Sequence, residues 1–279
     1  MTNAIVWKLP KHREIWAVAD SRVSHKRKDG DATRVTDQAV KILPLEVTVH
    51  RRSSHAEQPE AFRTLRLGLC YAGAVLPSLM THAAANFFLS NLVAESGRLP
   101  DRENLAELIR SLSEQYTRDA SFAYAIDNPP VCEFALFGQS SASNGSSELW
   151  AYWIRPGQGA ANGFKQVKES VNLEAGEMIV LGDQTSQLKE DIEQLQALRH
   201  PAWDGAEPRV ALSNRIRKNT HDTVGGTLQG AILKDNNFER FGSVHSETGS
   251  FFQNWLGFDY QKEIAGILGM DVSIRALLG

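Results

Sequence analysis

The first residue able to do chemistry is a threonine directly behind the initiator methionine. Without that methionine, Thr2 would carry a hydroxyl and a free α-amine on one residue, a nucleophile with its own general base. Two apolar runs, residues 4–7 and 15–19, follow with a polar turn between them. If they pair as an antiparallel hairpin centred near residue 11, position 2 lies opposite position 20, which predicts that Asp20 lies beside Thr2.

The composition is that of an ordinary globular protein. Its 279 residues are 42% hydrophobic and 23% charged, enough to bury a real core, and the net charge of -3 predicts no attraction to nucleic acid. Cys70 and Cys132 lie in apolar runs, which favours free thiols and a reducing compartment over disulfides. No apolar stretch approaches the length of a membrane span, and no signal peptide is recognisable. We therefore expect a cytoplasmic protein.

Strand-like and helix-like segments come in blocks along the chain. Helical spacing is typical of residues 75–95, of a segment capped by Asp101, and of 185–198 and 208–221. The polar stretch 24–36 is predicted to be a solvated loop. This order favours an α+β fold, with two sheets face to face and helices outside. Strands are predicted at residues 39–43, 45–49, 64–71, 131–137, 149–154, 164–171 and 178–181, and an apolar stretch covers residues 227–233.

The chain carries four short motifs in this order: Thr2 behind Met1, Ala19-Asp20-Ser21-Arg22, Val40-Lys41-Ile42 and Tyr71-Ala72-Gly73. The same order is found in proteasome β-type peptidases. The chain resembles these N-terminal nucleophile (Ntn) hydrolases, and especially bacterial members without a propeptide, over roughly residues 2–235. The resemblance implies an αββα four-layer sandwich, a homo-oligomeric ring, and peptide or unfolded-protein substrates; an unfoldase or regulator is left open.

The resemblance also implies site residues. Thr2 is the nucleophile and its α-amine the proton acceptor, while the charge of Lys41 favours the reactive form and Asp20 pairs with that lysine. The backbone N–H of Gly73 stabilises the oxyanion. Asp222, which precedes a Gly-containing stretch, supports the amine of Thr2.

The chain departs from the family at two serine-containing elements. The nearest matches here are Gly182-Asp183-Gln184 and Gly225, neither of which holds the usual serine. Simpler roles also stay open for four of the candidates: a strand-end partner of Arg22 for Asp20, an exposed strand lysine for Lys41, a strand-to-helix turn for Gly73, and a turn aspartate for Asp222.

Residues 1–244 are predicted to form the catalytic domain, and 245–279 an apolar C-terminal extension packed on the body or on a neighbouring subunit. The histidines show no ligand spacing, so no metal is implied, and neither is a cofactor. The sequence favours a threonine-dependent peptidase. The alternatives are an amidohydrolase of small molecules on the same fold and a non-catalytic, proteasome-like scaffold subunit.

Overall fold

The chain divides into two compact units in a computed structural model. The first unit holds Met1–Ile42, Met178–Ile232 and Glu239–Gly279, and the second holds Leu43–Glu177 and Leu233–Phe238. The structure describes residues 2–26, 32–51, 60–95, 98–124, 130–141, 147–157, 164–219, 222–247, 250–255, 258–259, 264–268, 270 and 274–278.

The main sheet of the first unit has the strand order β11-β1-β2-β12-β13-β14-β15, and β16 pairs with β13. Its helices are α3 (Thr185–Leu198), α4 (Glu207–Lys218) and the short α5 (Ala265–Leu268). The strands are β1 (Asn3–Lys8), β2 (Ile15–Ala19), β11 (Ile179–Gly182), β12 (Gln229–Lys234), β13 (Asn237–Glu247), β14 (Ser250–Trp255), β15 (Phe258–Asp259) and β16 (Arg275–Leu278).

One face of this sheet packs against α3 and α4. Alternate residues of a strand point to the same face, so β1 directs Ile5 and Trp7 into this core, where Trp7 donates its indole N–H to the Gly205 carbonyl at 2.8 Å. These contacts anchor β1 in the core of the first unit. Its buried members are Ile5, Trp7, Val18, Val180, Leu188, Ile192, Ala211, Leu212, Val224 and Leu228.

The sheet of the second unit has the order β10-β9-β8-β6-β5-β7. It carries α1 (Val75–Leu89) and α2 (Arg102–Tyr124). Both cysteines lie in this sheet, buried and free, as the sequence predicts. The strands are β5 (Ile42–Arg51), β6 (Glu60–Gly73), β7 (Leu92–Val93), β8 (Cys132–Ser141), β9 (Ser147–Pro156) and β10 (Gln166–Val171).

Three local predictions need correction. The helix predicted to reach residue 95 ends at Leu89, because Ser90 and Asn91 bond back to the Asn86 and Phe87 carbonyls, each at 2.7 Å. The stretch 24–36 is not wholly a loop, since β3 (Val23–Lys26) and β4 (Ala32–Thr36) pair in a two-stranded sheet. The two strands predicted around residue 44 are one, β5, and residues 39–41 precede it.

The mixed fold of helices and sheets is confirmed, whereas the four-layer αββα arrangement stays a prediction. The domain boundary predicted at residue 244 lies within β13, and the strands beyond it extend the same sheet. None of the helices in the described ranges has the length and apolar run that crossing a bilayer requires.

Candidate active site

The start of β1 holds Thr2 in a buried position, with 3% of its surface exposed. The hairpin of β1 and β2 forms as predicted, but its register differs by one residue, so that Asn3, not Thr2, faces Asp20. The reason is the turn: Leu9 N–H donates to the Glu14 carbonyl at 3.1 Å, which places the centre between residues 11 and 12.

Lys41 joins Thr2 to Asp20. Its ammonium donates to Thr2 Oγ1, to the Arg22 carbonyl, and to Asp20 Oδ1 at 3.2 Å. A lysine ammonium has three N–H donors, so these contacts use all of them. The side chain is 1% exposed, which contradicts the alternative of an exposed strand lysine. Thr2, Asp20 and Lys41 therefore form one buried polar cluster.

Backbone donors hold Asp20 in place. Asn3 N–H donates to Oδ1 at 2.9 Å, while Arg22 and Gly225 N–H groups donate to Oδ2 at 3.2 and 3.1 Å. Asp20 itself is fully buried. Four donors, counting Lys41, thus fix both oxygens of the carboxylate, as a buried carboxylate requires.

Burial opposes charge on both partners of this pair. It raises the pKa of Asp20, against the lowering effects of the Lys41 charge and of the Gly225 and Asn3 N–H groups. It lowers the pKa of Lys41, against the raising effect of Asp20. The Lys41 proton beside Thr2 Oγ1 is therefore released more readily than that of an exposed lysine, and a negative charge developing on Oγ1 would be stabilised.

Arg22 ties the loop before β5 to the end of α4. Its guanidinium donates to both Asp37 oxygens, at 2.7 and 3.3 Å, and to Asn219 Oδ1 at 2.9 Å and the Val224 carbonyl at 3.3 Å. Hydrogen bonding from Arg22 lowers the pKa of Asp37. This bracket keeps the Arg22 carbonyl against Lys41. The sequence gives no signal for these hydrogen bonds, because the separations between Arg22 and its partners along the chain follow no regular spacing.

The turn at Gly225 and Gly226 supports Asp20. Gly225 donates its N–H to that carboxylate, and its carbonyl accepts from the N–H groups of Ser21 and Arg22. A Cβ at position 225 would lie 2.3 Å from the Arg22 guanidinium carbon, so a larger residue there would displace the Arg22 side chain. Gly226 adopts a positive φ of 76°, which closes the turn.

Asp222, predicted to support the amine of Thr2, is exposed at the start of this segment. Among the described residues no bond joins it to Thr2 or Lys41. Its neighbour Thr223 donates instead to Asp183 Oδ2 at 2.8 Å. Asp183 N–H in turn donates to the Thr2 carbonyl at 3.0 Å. Asp183 therefore lies next to Thr2, a position that its place after the apolar run 178–181 could have suggested.

Gly73 belongs to the second unit, where it ends β6. Its φ is 97°, and a Cβ there would lie 2.2 Å from the Val131 carbonyl oxygen. Glycine is therefore required at this strand-to-helix turn. Its assignment to the oxyanion stays a prediction from the sequence. Within the described ranges, no three His, Cys, Asp or Glu side chains come together as a metal site would require.

The fold is similar to solved structures of Anbu proteins. One, described as a helical assembly of the Anbu complex from Pseudomonas aeruginosa, has a TM-score of 0.55 and 14% identity over 96% of this chain and 95% of that chain. A Gly-1 mutant of Anbu from Hyphomicrobium sp. strain MC1 has a TM-score of 0.51 and 14% identity, covering 86% and 87%. Anbu (ancestral beta-subunit) from Yersinia bercovieri has a TM-score of 0.49 and 12% identity, covering 98% and 99%.

No protein-family model and no curated protein matches the chain. The predicted resemblance to propeptide-less proteasome β-type peptidases is wrong as to family, because the solved structures that match are described as Anbu proteins. At 14% identity, the likeness shows a shared fold.

Proposed function

We propose that the chain is a proteasome-related, threonine-dependent peptidase whose nucleophile is Thr2 after removal of Met1. The observation that carries the proposal is the contact of the buried Lys41 ammonium with Thr2 Oγ1. Burial of a charged lysine and its carboxylate partner costs desolvation free energy that their attraction recovers only in part. Such groups are concentrated at functional sites.

The chemistry follows from Thr2 and its neighbours. Oγ1 attacks the peptide carbonyl, and the α-amine of Thr2 takes the hydroxyl proton. That proton passes to the leaving amine as the C–N bond breaks, which leaves the acyl group on Oγ1 as an ester. Water then attacks the ester, returns the hydroxyl to Thr2 and releases the acid. Lys41 stabilises the negative charge that develops on Oγ1, and Asp20 keeps Lys41 in position.

Self-assembly is part of the proposal. α1 contains no Asp, Glu, Lys or Arg, and it exposes a row of large apolar side chains that water solvates poorly. We assign this face to contacts between copies of the chain, and the description of the P. aeruginosa structure as a helical assembly supports the choice. The row is Leu76, Leu79, Met80, Phe87 and Phe88, with Phe87 65% exposed.

Light scattering after size-exclusion chromatography tests the assembly. We expect a mass well above 30.9 kDa for the natural chain and a lower mass for Phe87→Glu. A monomer at about micromolar concentration, where interfaces of standard size are occupied, would contradict this part of the proposal.

Intact mass of the natively expressed protein tests the nucleophile. We expect Met1 to be absent and a peptide β-lactone to add once, on Thr2. The adduct should be lost in Thr2→Ala and kept in Thr2→Ser, which retains a hydroxyl. Because alanine and serine are both small, removal of Met1 is expected in all three proteins. If Met1 is retained and no adduct forms, the peptidase function is wrong and the non-catalytic scaffold subunit is favoured.

Substrate size separates the peptidase from a small-molecule amidohydrolase. We expect a mixture of unfolded polypeptides to be cleaved, with new N-termini that mass spectrometry detects. Turnover of small amides alone would favour the amidohydrolase.

A further inference from the structure

The backbone of Thr2 points towards Asp183. Successive residues of a strand turn their N–H and C=O groups to opposite neighbours. Asn3 exchanges bonds with Asp20 beyond β2, at 3.1 Å from Asp20 N–H to Asn3 O and 2.9 Å from Asn3 N–H to Asp20 Oδ1. Thr2 therefore faces the other way, towards the end of β11, where its carbonyl accepts from Asp183 N–H at 3.0 Å. A free α-amine at Thr2 would point to the same side as this carbonyl, towards the end of β11.

Two neighbours hold Asp183 in this place. Asn3 donates its side-chain amide to the Asp183 carbonyl at 2.6 Å, and the Thr223 hydroxyl donates to Oδ2 at 2.8 Å. Among the described residues, no donor reaches the other carboxylate oxygen, Oδ1. The carboxylate is thus oriented through one oxygen, with acceptor capacity remaining on the other.

Charged groups surround Thr2 on several sides. Lys41 and its partner Asp20 lie on the hydroxyl side. Arg215 of α4 contacts Asn3 Oδ1 and the Gln184 carbonyl, each at 3.4 Å, and pairs with Asp191 of α3 at 3.2 Å. Lys41 already holds Asp20, and Arg215 already holds Asp191. Asp183 is the carboxylate at this end of β1 whose described partner is a neutral hydroxyl.

From this arrangement we propose that Asp183, oriented by Thr223, is the positioning residue for the α-amine of Thr2 and accepts a hydrogen bond from it. The proposal rests on the proposed function. It assigns to Asp183 the role that sequence analysis gave to Asp222, which is exposed. The carboxylate directs the amine towards Oγ1, so that the amine can take the hydroxyl proton.

A carboxylate beside the amine favours its protonated form. The pKa of the Thr2 amine should therefore fall by about one unit in Asp183→Asn, which keeps the shape and removes the charge. The low-pH limb of β-lactone addition then moves to lower pH by the same amount. The maximal rate falls about tenfold, because the amine is no longer oriented.

The test uses the full chain released at Thr2 from a cleavable fusion, so that it does not depend on Met1 processing. The first measurement is the pH dependence of acetylation of the Thr2 amine by acetic anhydride, followed by peptide mass spectrometry; it requires no enzyme activity. The second is the pH profile of β-lactone addition. Thermal unfolding confirms that each variant is folded.

The variants are Asp183→Asn, Thr223→Val and Thr223→Ser, with Glu190→Gln on the exposed surface of α3 as a charge-matched control. We expect the pKa of the Thr2 amine to fall by the full amount in Asp183→Asn and by part of it in Thr223→Val. In Thr223→Ser and Glu190→Gln, this pKa should equal that of the natural chain. The inference would be overturned if the pKa of the Thr2 amine were unchanged in Asp183→Asn, or if it fell by the same amount in Glu190→Gln. It would also be overturned if this pKa fell in Asp222→Asn but not in Asp183→Asn.

The two proposals fail in different ways. Suppose that the pKa of the Thr2 amine falls in Asp183→Asn but no β-lactone adduct forms in the natural chain. The peptidase function is then wrong, whereas the contact between Asp183 and the amine is supported. If the adduct forms and the amine does not respond to Asp183, the peptidase stands and the inference is wrong.

Discussion

Two carboxylate–cation pairs join the same two segments of the first unit, and they differ in burial. Asp20 and Lys41 have side chains 0% and 1% exposed, whereas Arg22 and Asp37 are 9% and 27% exposed. Burial raises the pKa of Asp20, while the hydrogen bond from Arg22 lowers the pKa of Asp37. Although Asp20 and Arg22 are only two positions apart, the pKa values of the two carboxylates, Asp20 and Asp37, shift in opposite directions.

The difference teaches what each pair does. Desolvation of two buried charges costs free energy that their attraction recovers only in part, so the Asp20–Lys41 pair contributes little net stability, which agrees with the proposed role of Lys41 at Thr2. The Arg22–Asp37 pair keeps access to water and forms a bidentate contact, so it stabilises the loop. Changes that break the first pair should alter both reactivity and stability, whereas changes at the second pair should alter stability alone.

The largest effect is expected for Lys41→Met, which removes the charge and keeps the length. β-Lactone addition at Thr2 should slow by at least about 100-fold, because the charge developing on Oγ1 loses its partner. The free energy of unfolding should fall by about 3–5 kcal/mol, since Asp20 is left buried without a counter-charge. Intact mass gives the rate, and urea titration gives the stability.

Adding Asp20→Asn to Lys41→Met separates the two effects. The double variant should regain part of the lost stability without regaining the rate. Recovery of both would show that Lys41 acts on Thr2 only by keeping the fold intact.

A smaller effect is expected for Arg22→Ala. It deletes the donors to Asp37, Asn219 and Val224, and the free energy of unfolding should fall by about 2–3 kcal/mol in urea titration. Arg34→Ala is the matched control, because Arg34 bonds the same Asp37 at 3.1 Å from a side chain that is 66% exposed. We expect less than about 0.5 kcal/mol from it. Equal losses would contradict the assignment of the bracket to Arg22.

Acidification should remove the stabilising contribution of Asp37. Because the folded pKa of Asp37 lies below its ordinary value of 3.8, its stabilising contribution is complete above that value and is lost as pH falls through the folded pKa. Between about pH 6 and about pH 3, the free energy of unfolding should therefore fall less in Asp37→Asn than in the natural chain. Parallel curves for the two proteins would rule out this contribution.

The smallest effect is expected at a third pair, Lys11–Asp204, whose side chains are 73% and 52% exposed. Lys11→Ala should change the free energy of unfolding by less than about 0.5 kcal/mol, because solvent and salt screen exposed charges. A loss as large as that of Arg22→Ala would mean that burial does not rank these pairs.

Much of the fold could be predicted from local pattern. Continuous apolar runs indicated β1 and β2, and helical spacing indicated α3 over its observed range. The β1–β2 register was wrong by one residue, because residues 4–7 are apolar and buried on both faces of the strand, which leaves the register to the turn. The end of α1 was placed too late for a similar reason, since Ser90 and Asn91 cap the last turn where apolar spacing continues.

The candidate site was predictable only in part. Thr2, Asp20 and Lys41 border apolar runs, and the structure brings them together in one cluster. The support from Gly225 comes from 205 positions away, and the partner of Asp183 lies 40 positions further along the chain. No periodicity connects such residues.

What the chain determines locally is its strands and helices, its buried thiols and the residue types at the ends of its first strands, because these depend on alternation and helical spacing within a few residues. The tertiary structure decides the burial of Lys41, the position of Asp183 N–H against the Thr2 carbonyl, and the opposite pKa shifts of Asp20 and Asp37. Those properties depend on desolvation and on donors from distant segments, which exist only once the sheet and its turns have packed.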